Sequence, residues 1–180
     1  KINEYLESHR KDLDGIYISG GEPLMHEGVV SFLQYAKTLN YKIKIHTNGM
    51  FYERLKTILA QKLVDHVSLD IKNAPSAYAK TCGVEDMDLK DIEKSLDLLK
   101  QSAVPYDICV TLVDELHNQA TIEELGQWIQ GVDTVILQPF EDSETTIDHS
   151  LHCPSFEVVL KYKKIFEKYV KHVKIRGDQA

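Results

Sequence analysis

Cysteine is scarce in this sequence. Its 180 residues hold three, Cys82, Cys109 and Cys153, and no two lie near one another. Short metal-ligand spacing is therefore absent, and an odd number cannot pair off internally, so a reducing cytoplasm is the simpler compartment. Each cysteine is expected to be a small buried or half-buried residue rather than a ligand. Long apolar runs are missing too. None approaches the ~18 residues that suggest a membrane span, and there is neither a signal peptide nor a lipidation motif. Excess positive charge is absent: the formal charge is −7, with no basic stripe and no basic block interleaved with aromatics. That argues against nucleic-acid binding through phosphate contacts. A starting methionine is also lacking, and an opening at Lys1 points to processing or to a piece of a longer protein.

What is present is ordinary globular material, 43% hydrophobic and 27% charged, enough for one substantial core. Residues 1–180 are read as a single domain. Lys1 to Leu13 reads as a helix end closed by Asp14-Gly15. Helical spacing of apolar residues follows at Val29, Phe32, Leu33 and Ala36, with Asn40 as a stop, and again at Leu55, Ile58 and Leu59. Ala74 to Thr81 predicts a short helix ended by Gly83. Asp88-Leu89-Lys90-Asp91 and Thr121-Ile122-Glu123-Glu124 both read as capping boxes. Ser155 should cap a last helix with Phe156, Leu160, Phe166 and Val170 inward. Glu141 to Leu151 reads as a loop. Strands are expected at 16–19, 42–46, 67–71, 106–113, 134–137 and 173–176. Arg176-Gly177-Asp178 has the form of an adhesion tripeptide and is given no weight. Regular strand–helix alternation implies an α/β fold with parallel strands and right-handed crossovers. A closed eight-fold barrel needs roughly 250 residues, so an open or partial one is predicted.

The most informative stretch is Ile16-Tyr17-Ile18-Ser19-Gly20-Gly21-Glu22-Pro23. An apolar run stops at two glycines, which let the backbone turn at φ > 0 and come close to a ligand. Their amides remain free to donate, and Glu22 adds an acceptor. Such a site suits a zwitterion; a plain strand-to-helix turn is the simpler alternative. Other strand ends are polar as well: His46-Thr47-Asn48-Gly49 after Ile45, Asp70-Ile71-Lys72 after Leu69, and Gln138-Pro139-Phe140 after Leu137. In folds of this class ligands sit at the C-terminal strand ends.

Taken in this order, Ser19-Gly20-Gly21-Glu22-Pro23 and Asp70-Ile71-Lys72 resemble the radical S-adenosylmethionine (SAM) superfamily. Within it the chain is most similar to the glycyl-radical activases, the activating proteins of anaerobic ribonucleoside-triphosphate reductase above all, with pyruvate formate-lyase activating enzymes as relatives. The resemblance implies a partial, open parallel β/α barrel and two cofactors, SAM and a 4Fe–4S cluster. It implies reductive cleavage of SAM to a 5′-deoxyadenosyl radical, which takes hydrogen from a glycine of a partner enzyme. A protein partner and an electron donor such as flavodoxin or ferredoxin go with it. The superfamily's C-x3-C-x2-C motif is not in this sequence. The expectation is therefore a chain truncated at its N-terminus, without its first strand and cluster loop, and inactive by itself.

Carried over by position, Gly20, Gly21 and Glu22 match the motif that holds the methionine end of SAM, with Glu22 accepting from the ammonium group. Thr47 and Asn48 fall where the methionyl and ribose parts approach. Asp70 and Lys72 match a D-x-K pattern, Lys72 facing the SAM carboxylate and Asp70 as a polar anchor. Gln138 reaches the ligand from a later strand. His46 stands where several relatives have an aspartate that helps hold a monovalent cation, so a cation site of that kind is not expected. Three other readings compete. Lys72 could be a Schiff-base amine, although Asp70 nearby works against the lowered pKa this needs. His149-Ser150-Leu151-His152-Cys153 offers three zinc-ligand types without usual spacing. The third is a cluster-free binding module whose acidic surface suits a basic partner.

Overall fold

The computed structural model describes residues 1–144 and 146–177. Along the first half of the chain lie α1 (Ile2–Ser8), β1 (Gly15–Ile18), α2 (Val29–Thr38), β2 (Lys42–Thr47), α3 (Tyr52–Ala60) and β3 (His66–Asp70). There follow α4 (Pro75–Thr81), α5 (Lys90–Gln101), β4 (Tyr106–Leu112), α6 (Gln119–Trp128), β5 (Thr134–Pro139), α7 (Phe156–Phe166) and β6 (His172–Ile175). They form two compact units, one of Lys1–Asp70 with Lys90–Tyr106, the other of Ile71–Leu89 with Asp107–Ala180.

In the first unit β1, β2 and β3 run parallel, with Ile16 opposite Ile43 and Ile45 opposite Val67. Side chains alternate between faces. Ile43, Ile45, Val67 and Leu69 are buried, as are Leu33 and Ala36 of α2, Leu55 and Ile58 of α3, and Ile92, Leu96 and Leu99 of α5. Each such burial contributes about 1.5–3 kcal/mol before the entropic cost of ordering. Asn40 ends α2 at φ 66, the left-handed stop that its position predicted. Lys37 pairs with Asp65, which also accepts from the Ile43 amide at 2.8 Å.

In the second unit β4, β5 and β6 run parallel, with Val110 opposite Leu137 and Leu137 opposite Ile175. Their buried side chains join Ile122, Leu125 and Ile129 from the α6 segment and Val159, Tyr162 and Phe166 from α7. Both units thus have the α/β order and parallel strands that the sequence predicts. No helix among the described residues is long and apolar enough to cross a membrane.

Three local expectations are corrected. The capping box of α6 sits three residues upstream of the predicted one. Asn118 Oδ1 accepts from the Ala120 and Thr121 amides at 2.9 and 3.0 Å, and Thr121 Oγ1 returns a bond to the Asn118 amide at 3.1 Å. Thr121 is the reciprocating residue, not the cap. On α7, Ser155 is the cap, accepting from Val158, but Phe156 is 59% exposed and Leu160 37%. The buried stripe passes through Val159, Tyr162, Ile165 and Phe166, because that side of the helix meets the core and positions 156 and 160 lie on another side. Cys82 and Cys153 are exposed and only Cys109 is buried. Cys82 ends a two-turn helix, and Cys153 lies in the segment leading to α7. The residues at 149–153 face separate carboxylates, His149 on Asp142 and His152 on Glu115. No group of three or more His, Cys, Asp or Glu that could hold a metal ion occurs among the described residues. Thr145 of the 141–151 loop and Asp178 of the tripeptide lie outside the described residues.

Candidate functional site

In the first unit the chain leaves β1 through Gly20 at φ 91 and Gly21 at φ 56. Open space surrounds both: a methyl group built on either glycine would meet nothing within 4 Å. Conformation and not crowding therefore demands glycine here. Neither amide donates to another described residue. Beside this turn Ile18, Ser19, Gly20, His26, Val29 and Phe32 help line a hollow of about 310 Å³.

Glu22 then turns back into the protein and is only 8% exposed. Its Oε1 accepts from the Leu24 amide at 2.9 Å and the Thr47 hydroxyl at 2.8 Å, and its Oε2 accepts from the Asn48 amide at 2.7 Å. One carboxylate thus ties the glycine turn to the end of β2. A carboxylate has about four acceptor positions; three are used, and one on Oε2 is left over. Thr47 also accepts from the Gly49 amide at 3.2 Å, and Asn48 Oδ1 accepts from Met50 at 3.0 Å. Buried Ser95 donates to the Gly49 carbonyl at 2.7 Å. The polar residues at 22, 47 and 48 are therefore first of all a closed bonding network.

His46 points to the opposite face of the sheet from Thr47, as adjacent strand residues must. There its Nδ1 meets the Tyr17 hydroxyl at 2.8 Å and its Nε2 lies 3.9 Å from Asp70 Oδ2. Tyr17, His46 and Asp70 come from three adjacent strands and climb diagonally across them. Tyr17 was absent from the sequence-based set, although counting alternate residues along β1 would have placed it on that face.

The second unit holds the other two predicted residues. Lys72 stands two residues beyond the β3 end, and side chains take both its backbone groups. Its amide donates to Tyr78 Oη at 3.3 Å, and its carbonyl accepts from His117 Nε2 at 3.0 Å. Nδ1 lies 3.1 Å from both the amide and the carbonyl of Val113, and a neutral ring with its proton on Nε2 donates to Lys72 while Nδ1 accepts from the Val113 amide. Burial pushes the His117 imidazole below the ordinary histidine range, against the pull of its bonds to Val113 and Lys72. Asn73, fully buried, donates to the Leu116 carbonyl at 2.7 Å and to Thr81 at 3.0 Å. Gln138 on β5 accepts from Arg176 Nη1 at 2.5 Å, with Cys109 Sγ at 3.9 Å. Sequence reasoning did not select His117, Asn73 or Arg176. Nothing in the local pattern distinguishes them, because each has a partner 38 to 45 positions away.

A family model described as the Radical SAM superfamily matches residues 1–129. A candidate glycyl-radical enzyme activating enzyme of Methanocaldococcus jannaschii, MJ1227, is 30% identical over 169 residues, which are 91% of this chain and 70% of that protein. Among solved structures, a domain of pyruvate-formate lyase-activating enzyme from Bacteroides vulgatus matches with TM-score 0.70 and 19% identity, over 91% of this chain and 99% of that one. Streptococcus suis SuiB bound to S-adenosylmethionine matches with TM-score 0.75 and 13% identity, over 99% of this chain and 43% of that one. At these identities the structural likeness is one of fold: a partial, open β/α barrel of parallel strands.

Proposed function

This chain belongs to the radical SAM superfamily and is related to its glycyl-radical activating enzymes, and we propose that it handles SAM in order to install a glycyl radical on a partner protein. The observation that carries the reading is the turn at Gly20 and Gly21. Two unengaged amides there stand beside a carboxylate with one acceptor position to spare. Amides suit a carboxylate and the spare position suits an ammonium group, so the turn fits the methionine end of SAM. When bound, SAM supplies the hydrogen-abstracting group on one-electron reduction.

The chain's own residues bind and orient. Glu22 accepts from the ammonium group while its other bonds hold the turn in shape. Thr47 and Asn48 support it from the end of β2. In the same unit Asp70 and His46 present a polar face, with no cation site of the aspartate type at His46. In the second unit Lys72 is assigned to the SAM carboxylate, and Gln138, oriented by Arg176, to a ligand amide or hydroxyl. The 4Fe–4S cluster does not fit the described residues, which offer no suitable set of ligands, and no step is derived through it. We assign the partner to the anaerobic ribonucleotide reductases, with a pyruvate formate-lyase-type enzyme as the alternative, and the reductant to flavodoxin or ferredoxin. The lack of a ligand set also favours a second reading, a cluster-free module that binds another ligand at the same turn.

The test is iron content and visible spectrum after anaerobic reconstitution, with SAM binding measured alongside, on this chain and on one extended upstream. About four irons and SAM cleavage only in the longer chain are expected. A cluster bound by the 180 residues alone would overturn the ligand account. Iron in neither chain would leave the binding module.

A further inference from the structure

The loop after β3 is held from outside itself. Lys72 gives its amide to Tyr78 and its carbonyl to His117, while Asn73 is bonded to Leu116 and Thr81. His117 is 3% exposed and bridges two segments of one unit: Nδ1 accepts from Val113 at the end of β4, and Nε2 donates to Lys72. Its own carbonyl accepts from the Tyr162 hydroxyl of α7 at 3.1 Å. A backbone position fixed on both its N–H and its C=O has little freedom, and the side chain that grows from it starts from a fixed Cα–Cβ direction. Packing alone does not require a histidine here. An aliphatic side chain would fill the volume, but it would strand the Val113 amide and the Lys72 carbonyl, and buried groups of that kind are normally paired.

We propose that His117 is a positioning residue for Lys72, and that its neutral Nε2–H tautomer sets the strand-end backbone from which Lys72 engages a ligand carboxylate. This rests on the assignment of Lys72 to the SAM carboxylate made above. A second proton on the ring would end the acceptance from the Val113 amide and turn Nδ1 into a donor facing the Val113 carbonyl at 3.1 Å, while Nε2 still donates to Lys72.

The two ring nitrogens can be separated by substitution. An asparagine carbonyl reaches the position of Nδ1, so His117→Asn keeps the Val113 bond and drops Lys72. A glutamine amide reaches the position of Nε2, so His117→Gln keeps the Lys72 bond. Two measurements are made: hydrogen exchange at the Lys72 and Ala74 amides in this chain, and SAM affinity by calorimetry in the cluster-reconstituted upstream-extended protein. His117→Asn is expected to speed exchange at both amides and to weaken SAM binding about three- to tenfold, the worth of a lost hydrogen bond. His117→Gln should stay near the parent in both. Should His117→Asn not fold, Tyr78→Phe removes the other tether of Lys72 and is expected to weaken SAM similarly. Faster exchange with unchanged affinity, in whichever variant folds, overturns the positioning role. Lys72→Met separates the two claims: if it binds SAM as the parent does, the assignment of Lys72 fails. If it loses binding while His117→Asn does not, the positioning role alone fails.

Discussion

Glu22→Gln removes one charge and almost no volume, so it isolates what the carboxylate does. Three donors converge on it, from Leu24, Thr47 and Asn48. Glutamine keeps one oxygen. Placed at Oε1 it still satisfies Leu24 and Thr47, and its NH2 then faces the Asn48 N–H, donor against donor. One charge-assisted bond is lost, worth ~1.5–3 kcal/mol, and the Asn48 amide is left unmet. A cost of about 2 kcal/mol corresponds to a fall in Tm of roughly 4–8 °C for a protein of this size. Glu22→Ala removes both acceptor oxygens, and with them all three bonds, and leaves a void, at about 3–5 kcal/mol. The assay is thermal unfolding by circular dichroism without SAM. A graded loss, alanine worse than glutamine, is expected in the free protein. If both variants melt within about 1 °C of the parent, Glu22 is not the tie between the glycine turn and β2, and the structural part of this account is wrong.

Gly49→Ala should cost about 2–4 kcal/mol, since φ is 79 and the added carbon would lie 2.8 Å from Leu69 Cδ1; its denaturant midpoint checks this. Asn118→Ala should cost ~1 kcal/mol by opening the capping box of α6, read in the same titration. The link between His152 and Glu115 should weaken at alkaline pH. The hydrogen bond to Glu115, and then its charge, raise the His152 pKa. The contribution is therefore complete below the unfolded value near 6.5 and is lost as pH rises through the folded one. NMR titration of His152 should give a midpoint above that of an unfolded control, and Glu115→Gln should bring it down.

Sequence and structure divided the work unevenly at Glu22. The glycine pair, the carboxylate and the proline were legible as a tight turn after β1 because their conformational demands are local. The threefold bonding of Glu22 was not, since Thr47 and Asn48 reach it only when β1 and β2 pair. The capping box of α6 shows the same limit at short range. The sequence pattern pointed to Thr121 as the cap, and helix entry after Asn118 put it three residues earlier.

Local chemistry by itself determined the element order, the parallel α/β class and the polar strand ends, because side-chain periodicity and turn residues act within a few positions. Family likeness could be read from the same strand ends. Tertiary structure decided which of those residues bond one another, which faces they share and what holds them. Alternation sends His46 and Thr47 to opposite faces of β2, so neighbours in sequence serve different groups. Packing brings His117 to Lys72 across 45 positions. Hydrogen bonds between distant segments depend on strand register and burial, and neither is encoded in any single stretch of this chain.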